Sequence, residues 1–276
     1  MIDKVVHGWP TLISLFPFMT LFVSYIENGL MFCGGSYVGN GYVVTAAHCI
    51  PSPVLPSHVL PSHVLFDEVD MRIYFDIQTL VEFKSEDTPF YTVDNIFIHP
   101  LYNNETFQYD VALLQISEFS PFLDEWKDRQ YIHISNDTTK DVVGTKLDII
   151  GYGKKYDGEE NSQVFRHSLQ QGEVTVCPID KTNSNLGGMT IDPESMLLAE
   201  GAQPDWWDGE VTDSCTGDSG GPLFWTMEKE GVNMSTLVGI VSWGISCGQP
   251  VYPGVYAKIT PLFEWIHSFL SKPRKD

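Results

Sequence analysis

Residues 217–222 read Gly217-Asp218-Ser219-Gly220-Gly221-Pro222. A serine set between glycines suits a nucleophile, because glycine lets the backbone take tight conformations and turn N–H groups then converge on a developing oxyanion. Taken alone, such a pentad is an ordinary turn. It also satisfies Gly-x-Ser-x-Gly, the nucleophile elbow of α/β-hydrolases. Chain order separates the two catalytic readings. The elbow fold needs an acid and then a histidine after its serine, and His267, in the terminal helical stretch, is the one histidine that follows. Upstream, Thr45-Ala46-Ala47-His48-Cys49 places a histidine at the end of an apolar strand, and Tyr109-Asp110-Val111-Ala112-Leu113-Leu114 places an acid at the start of another. Singly, His48 reads as a packed or capping histidine and Asp110 as a strand-edge acid. In this order, with Ser219, they read as a triad.

The rest of the chain is mostly short apolar stretches cut by Gly, Pro and Asn. Tyr42-Val43-Val44, Met71 to Phe75, Val111 to Leu114, Leu147 to Ile150 and Leu237 to Val241 are rich in β-branched and aromatic residues, which predicts strands. Many short strands with regular turn signals suggest an all-β barrel or sandwich. One helix is expected, Pro261 to Leu270, with Pro near its start and Leu262, Trp265, Ile266 and Phe269 on one face. The apolar run Thr11 to Ile26 reads as a buried strand. Its neutral Met-Ile-Asp-Lys start and Pro17 do not suit a secretory signal, and it is too short to span a membrane. Val54 to His58 is repeated at once as Val59 to His63, an inserted surface loop; Asn183 to Gly201 is expected as another loop, and Trp206-Trp207 as loop packing.

The net charge is −20 and apolar residues make up 43%. So apolar a chain is not disordered. Its acidity argues against nucleic acid, whose phosphates need Lys and Arg, and against an anionic membrane surface. Cationic partners are favoured instead, chiefly through encounter rate. The 5 cysteines include no Cys-x-x-Cys pair, which weakens a metal reading. Asn104, Asn136 and Asn233 each open an Asn-x-Ser/Thr sequon, and together they fit a secreted chain. Such a chain is expected to come from a longer precursor whose signal peptide lies outside this sequence.

At this point the sequence resembles a trypsin-like serine protease of the chymotrypsin family, from about Val5 to Leu270. Cys33-Gly34-Gly35-Ser36, the His48 segment, His99-Pro100-Leu101-Tyr102-Asn103, the Asp110 strand, residues 217–222, Ser242-Trp243-Gly244 and Pro253-Gly254-Val255-Tyr256 carry the likeness, each modestly specific and together strongly so. The resemblance implies two six-stranded antiparallel β-barrels with the active site between them and a C-terminal helix. The first barrel would span about 5–120, the second about 140–258 and the helix 261–270. Residues 1–4 would be a short activation propeptide and 271–276 a polar tail.

The same likeness assigns roles. Ser219 is the nucleophile, His48 its base and Asp110 the acid that orients the ring. The N–H groups of Gly217 and Ser219 form the oxyanion hole. Asp213 is the floor of the specificity pocket, and a buried carboxylate there calls for Arg or Lys before the cleaved bond. Gly244 and Gly254 keep the pocket walls open, Ser242 supports Asp110, and Ser242 to Gly244, with Trp243 between them, pair with substrate as an added strand. The rim pair Ile245-Ser246 departs from the usual small residues and leaves Arg against Lys open. Cleavage after Lys4 would free the amino group of Val5 to pair with Asp218, a zymogen switch that weakens at alkaline pH as the amine loses its proton; His7 stands where the family has glycine. Disulfides Cys33–Cys49 and Cys215–Cys247 are implied, with Cys177 a buried free thiol. Neither calcium nor any cofactor is expected. A secreted monomer acting on peptides or proteins with Arg or Lys at the cleaved bond, and open to protein inhibitors, is the resulting expectation. A catalytically silent homologue serving as a binding or adaptor protein is the alternative.

Overall fold

The computed structural model describes residues 5–26, 29–51, 70–117, 129–134, 136–154, 159–160, 168–179, 186, 188–202, 209, 211–229 and 232–272. The strands are β1 (Trp9–Pro10), β2 (Met19–Ile26), β3 (Gly29–Gly39), β4 (Tyr42–Thr45), β5 (Asp70–Tyr74), β6 (Tyr91–Ile98), β7 (Ala112–Ile116), β8 (His133–Ile134), β9 (Lys146–Gly151), β10 (Gln170–Val176), β11 (Met196–Gly201), β12 (Pro222–Lys229), β13 (Val232–Trp243) and β14 (Gly254–Lys258). One barrel closes in the order β2-β3-β4-β7-β6-β5. A second closes through β9-β10-β11-β14-β13-β12 and back to β9, with β1 and β8 added outside it. Both are antiparallel, and closure leaves neither with an open edge. Two closed antiparallel barrels, with no doubly wound parallel sheet among the described residues, are not the architecture of an α/β-hydrolase.

The two barrels share apolar packing. Phe16 and Phe18, just before β2, meet Phe224 of β12 edge-on at 5.6 and 5.5 Å. Edge-to-face pairs add about 1 kcal/mol each beyond their burial. Backbones meet as well: the N–H of Gly34 on β3 donates to the carbonyl of Ser219 at 2.7 Å. A Cβ on Gly34 would lie 2.7 Å from Cα of Gly221, so only glycine permits this approach. The terminal helix α1 (Phe263–Leu270) follows the second barrel yet packs on the first, with Phe269 against Phe97 at 4.7 Å and Trp265 edge-on to His99 at 5.0 Å. Asn40 Nδ2 donates to the carbonyls of Leu270 and Lys272, tying the helix end to the β3–β4 turn.

Several expectations change. Strand structure covers only Met19–Ile26 of the Thr11 to Ile26 run, because Pro17 cannot donate into a ladder and Ile13–Leu15 forms a 3-10 turn. Residues 5–10 join the second barrel and not the first: Val6 pairs with Asp213, and β1 pairs with β10. The expected loop from Asn183 to Gly201 ends in a buried strand, β11, whose Leu197, Leu198 and Ala199 zip between β10 and β14. Its small and acidic residues hid that pattern. The helix begins with a 3-10 turn at Thr260–Leu262. Lys4, the 54–63 duplication and Trp206-Trp207 lie outside the described residues.

Candidate active site

Asp110 ends the loop that leads into β7. Tyr109 before it has φ +51° and stacks on the ring of His99, 5.0 Å away and 9° from parallel. Burial keeps that imidazole neutral, with its pKa lowered to about 4. Asp110 itself is fully enclosed. Its Oδ1 accepts the backbone N–H of His48 at 2.9 Å, and its Oδ2 lies 2.7 Å from Nδ1 of the same residue. A carboxylate at Nδ1 fixes the proton there and leaves Nε2 as the acceptor. Ser242 Oγ donates to the same Oδ2. His48 stands in the 3-10 turn Ala47–Cys49 directly after β4, and the Cys33–Cys49 disulfide holds that turn to β3.

Ser219 sits in a turn knotted by its own amides. Asp218 N–H donates to Cys215, Gly221 N–H to Asp218 and Gly220 N–H to Val241. Gly217 has φ +102°, and a Cβ there would lie 2.9 Å from the ring of Phe32. Gly220, at φ +79°, would push a Cβ to 2.2 Å from Thr45 Oγ1. Both positions therefore demand glycine. Among the described residues, the N–H groups of Gly217 and Ser219 have no carbonyl partner. Groups of this kind can donate to an anionic oxygen.

His48 and Ser219 line one cleft of about 320 Å³ together with Asp213, Ser242, Trp243, Gly244 and Gly254. Asp213 is buried and accepts the N–H of Gly248 at 3.0 Å through Oδ2. A Cβ on Gly254 would come within 3.0 Å of both Asp213 Oδ1 and Tyr256 Oη, narrowing the cleft beside Asp213. Gly244 faces open space, its nearest neighbour for a Cβ being Ser246 O at 3.7 Å. The Cys215–Cys247 disulfide borders the same cleft. Cys177 is buried and forms no disulfide among the described residues, and its N–H donates to the carbonyl of Leu198.

Asp218, next to Ser219, points away into the second barrel. Its Oδ1 accepts Gly153 N–H at 2.7 Å and its Oδ2 accepts Cys215 N–H at 3.0 Å. Burial raises its pKa to about 6, with those two amides pulling the other way. Val5 and Val6 are buried, and Val6 is hydrogen-bonded to Asp213 in both directions.

Two site features escaped sequence reasoning. Phe107 lines the cleft, edge-on to His48 at 5.8 Å and 6.3 Å from the Trp243 ring. No sequence signal marks it. Gly151 and Gly153 leave room for the Asp218 carboxyl, whose oxygens would lie within 2.4 Å of a Cβ at either; the Gly-Tyr-Gly spacing was the available clue. Glu82 caps its own turn by accepting the N–H and hydroxyl of Thr79. Among the described residues, no cluster of His, Cys, Asp and Glu suits a metal ion, and no helix is long and apolar enough to cross a membrane.

The trypsin family model matches residues 5–266. The chain belongs to the trypsin family. It is a serine protease domain of chymotrypsin fold, similar in sequence to several known proteases. It is 29% identical to rat (Rattus norvegicus) complement factor I over 98% of this chain and 39% of that protein. It is 30% identical to mouse (Mus musculus) tissue-type plasminogen activator over 85% of this chain and 38% of that one. Human (Homo sapiens) transmembrane protease serine 7 is 31% identical over 97% of this chain and 27% of its own length. The chain thus spans two fifths or less of these relatives.

Proposed function

We propose that this trypsin-family domain is an exported endopeptidase that cleaves after Arg or Lys with Ser219, His48 and Asp110, and that cutting after Lys4 activates it. The observation that carries the reading is a single cleft lined together by a buried carboxylate, Asp213, by Ser219 and by His48, whose Nδ1 is bound to enclosed Asp110.

Chemistry follows from the groups present. Ser219 Oγ attacks the scissile carbonyl while Nε2 of His48 takes its proton. The carbonyl oxygen gains the negative charge and is met by the N–H groups of Gly217 and Ser219, each such donor contributing about 3 kcal/mol. Asp110 stabilises the imidazolium without taking its proton. The C–N bond breaks as His48 protonates the leaving amine, and water then repeats the sequence in reverse roles to free the acid and restore Ser219. Asp213 pairs with the guanidinium or ammonium before the bond, and Gly244 and Gly254 leave space for its stem. Trp243 and Gly244 offer backbone groups to the substrate strand. The two disulfides and the extracellular character of such bridges support export.

For activation, the buried Asp218 carboxyl awaits a cation, and a new amino group on Val5 supplies one. Lys4 itself suits the proposed pocket, so the enzyme can process its own precursor. The deciding experiment uses fluorogenic peptides with Arg, Lys or Phe at the cleaved bond, on the chain starting at Val5 and on its Ser219→Ala form. Cleavage after Arg and Lys that Ser219→Ala abolishes supports the reading. Silence of the intact-triad enzyme toward all three peptides refutes it in favour of a binding role.

A further inference from the structure

The loop between β6 and β7 carries a sequon directly before Phe107, which lines the cleft. Asn104 opens Asn104-Glu105-Thr106 and its side chain is exposed. The loop is tightly braced. Asn103 Oδ1 accepts the N–H groups of Glu105 and Thr106 at 2.9 and 3.1 Å, and Asn103 N–H donates to Gln108. Phe107, with φ +58°, turns its ring onto His48 and Trp243, and Tyr109, two residues on, is stacked on His99. A bulky aromatic residue at positive φ persists only where surrounding contacts over-determine it. Asn104 is thus mounted on a fixed platform, its Cα at most about 11 Å from the Cα of Phe107, whose ring flanks His48.

We propose that Asn104 carries an N-linked glycan that screens the cleft from large partners while leaving short peptides free to enter. A peptide needs only the cleft. A folded substrate or inhibitor covers about 800 Å² per partner, and so must also lie across the rim where Asn104 projects. The sugar is bulky and hydrated, and the braced loop cannot swing it aside. The other two sequons lack this geometry. Asn136 lies on the exposed stretch after β8, and Asn233 lies on β13 opposite Glu228, in the hairpin arm with β12. The proposal rests on export and on the endopeptidase reading above.

The full chain is secreted from a glycosylating eukaryotic host, activated, and its active sites titrated. Mass spectrometry of the Asn104 peptide reads occupancy. Hydrolysis of a short Arg peptide, and the association rate of a Kunitz-type inhibitor, are then measured for the parent, Asn104→Gln, Asn136→Gln and Thr106→Ser, which keeps the sequon. Expected is an occupied Asn104, inhibitor association about fivefold or more faster in Asn104→Gln alone, and peptide hydrolysis equal in all four. An unmodified Asn104, or inhibitor association unchanged in Asn104→Gln, overturns the proposal. Failure of the parent to cleave the Arg peptide at all would instead sink the endopeptidase reading, and it is scored separately from glycan occupancy.

Discussion

Ser242 Oγ donates to Oδ2 of Asp110, the same oxygen that lies 2.7 Å from Nδ1 of His48. Two barrels thus meet at one carboxylate, since Asp110 enters from β7 and Ser242 from β13. A hydrogen bond to a buried charge contributes about 1.5–3 kcal/mol. Ser242→Ala should therefore lower kcat for an Arg peptide by about 10- to 100-fold with little change in KM. Asp110→Asn, which permits the wrong tautomer, should lower it by about 10⁴, as in other triads of this type. Steady-state kinetics on titrated enzyme decide the matter. Equal, small effects from both changes would detach Asp110 from the reaction.

Specificity should follow Asp213. Replacing it with Ser leaves a cationic side chain without its counter-charge, a loss of about 10²- to 10³-fold in kcat/KM for Arg and Lys peptides. Cleavage after Phe should rise relative to Arg. Peptide-library profiling reads both, and an unchanged preference for Arg would move the pocket floor elsewhere.

Gly217 tests the oxyanion turn. Alanine there must adopt φ +102° and push its Cβ into Phe32 and Gly153. Stability should fall by about 1–3 kcal/mol from strain alone. Because the N–H at this position must still face the substrate oxygen, kcat should fall by about 10² or more. Calorimetry and kinetics on Gly217→Ala, with Gly144→Ala as a surface glycine of positive φ for comparison, separate strain from catalysis; a Gly217→Ala enzyme of parental kcat would exclude this turn from oxyanion binding.

Asp218 predicts a pH signature. Its carboxyl titrates at about 6 when folded against an ordinary 3.8, so the fold favours the protonated form. The stability it contributes is complete below about pH 4 and is lost as pH rises through 6, about 3 kcal/mol in all. An amino group on Val5 would remove that loss. His99, with its pKa lowered to about 4, acts in the opposite direction, and it is common to both forms. Denaturant unfolding between pH 4 and 7 should therefore show the uncut Ser219→Ala chain losing stability relative to the cut one. Parallel curves would break the link between Val5 and Asp218.

The Cys33–Cys49 bridge closes a loop of 16 residues beside His48. Replacing both cysteines with Ala should cost about 3 kcal/mol in the chain-entropy account. Activity should fall further than stability explains, since the turn holding His48 loses its anchor. A double variant with parental Tm would show that Cys49 is held by packing alone.

Much of the candidate site was legible because the proposed chemistry needs particular residue types at particular backbone conformations. The glycines at 217 and 220 mark positive φ, and the order of His48, Asp110 and Ser219 discriminates between two catalytic folds. Strand β11 was not legible, because a strand buried on both faces lacks alternation, and its Met196-Leu197-Leu198-Ala199 core runs on into Glu200 and Gly201. Phe107 was not legible either, since nothing local says which distant ring an aromatic loop residue will meet.

The amino-acid order alone determined the family and nominated His48, Asp110, Ser219 and Asp213 as the candidate triad and pocket acid, because each sits in a local motif that survives without knowledge of neighbours; the two disulfide pairings followed from the family resemblance, and the structure forms both. Tertiary structure decided that residues 5–10 belong with the second barrel, that Asp218 is buried among Gly151, Gly153 and Cys215, and that Phe107 lines the cleft beside His48. These depend on contacts between segments far apart in the chain, and such contacts are selected by the packing of the whole core, which no short stretch of sequence encodes.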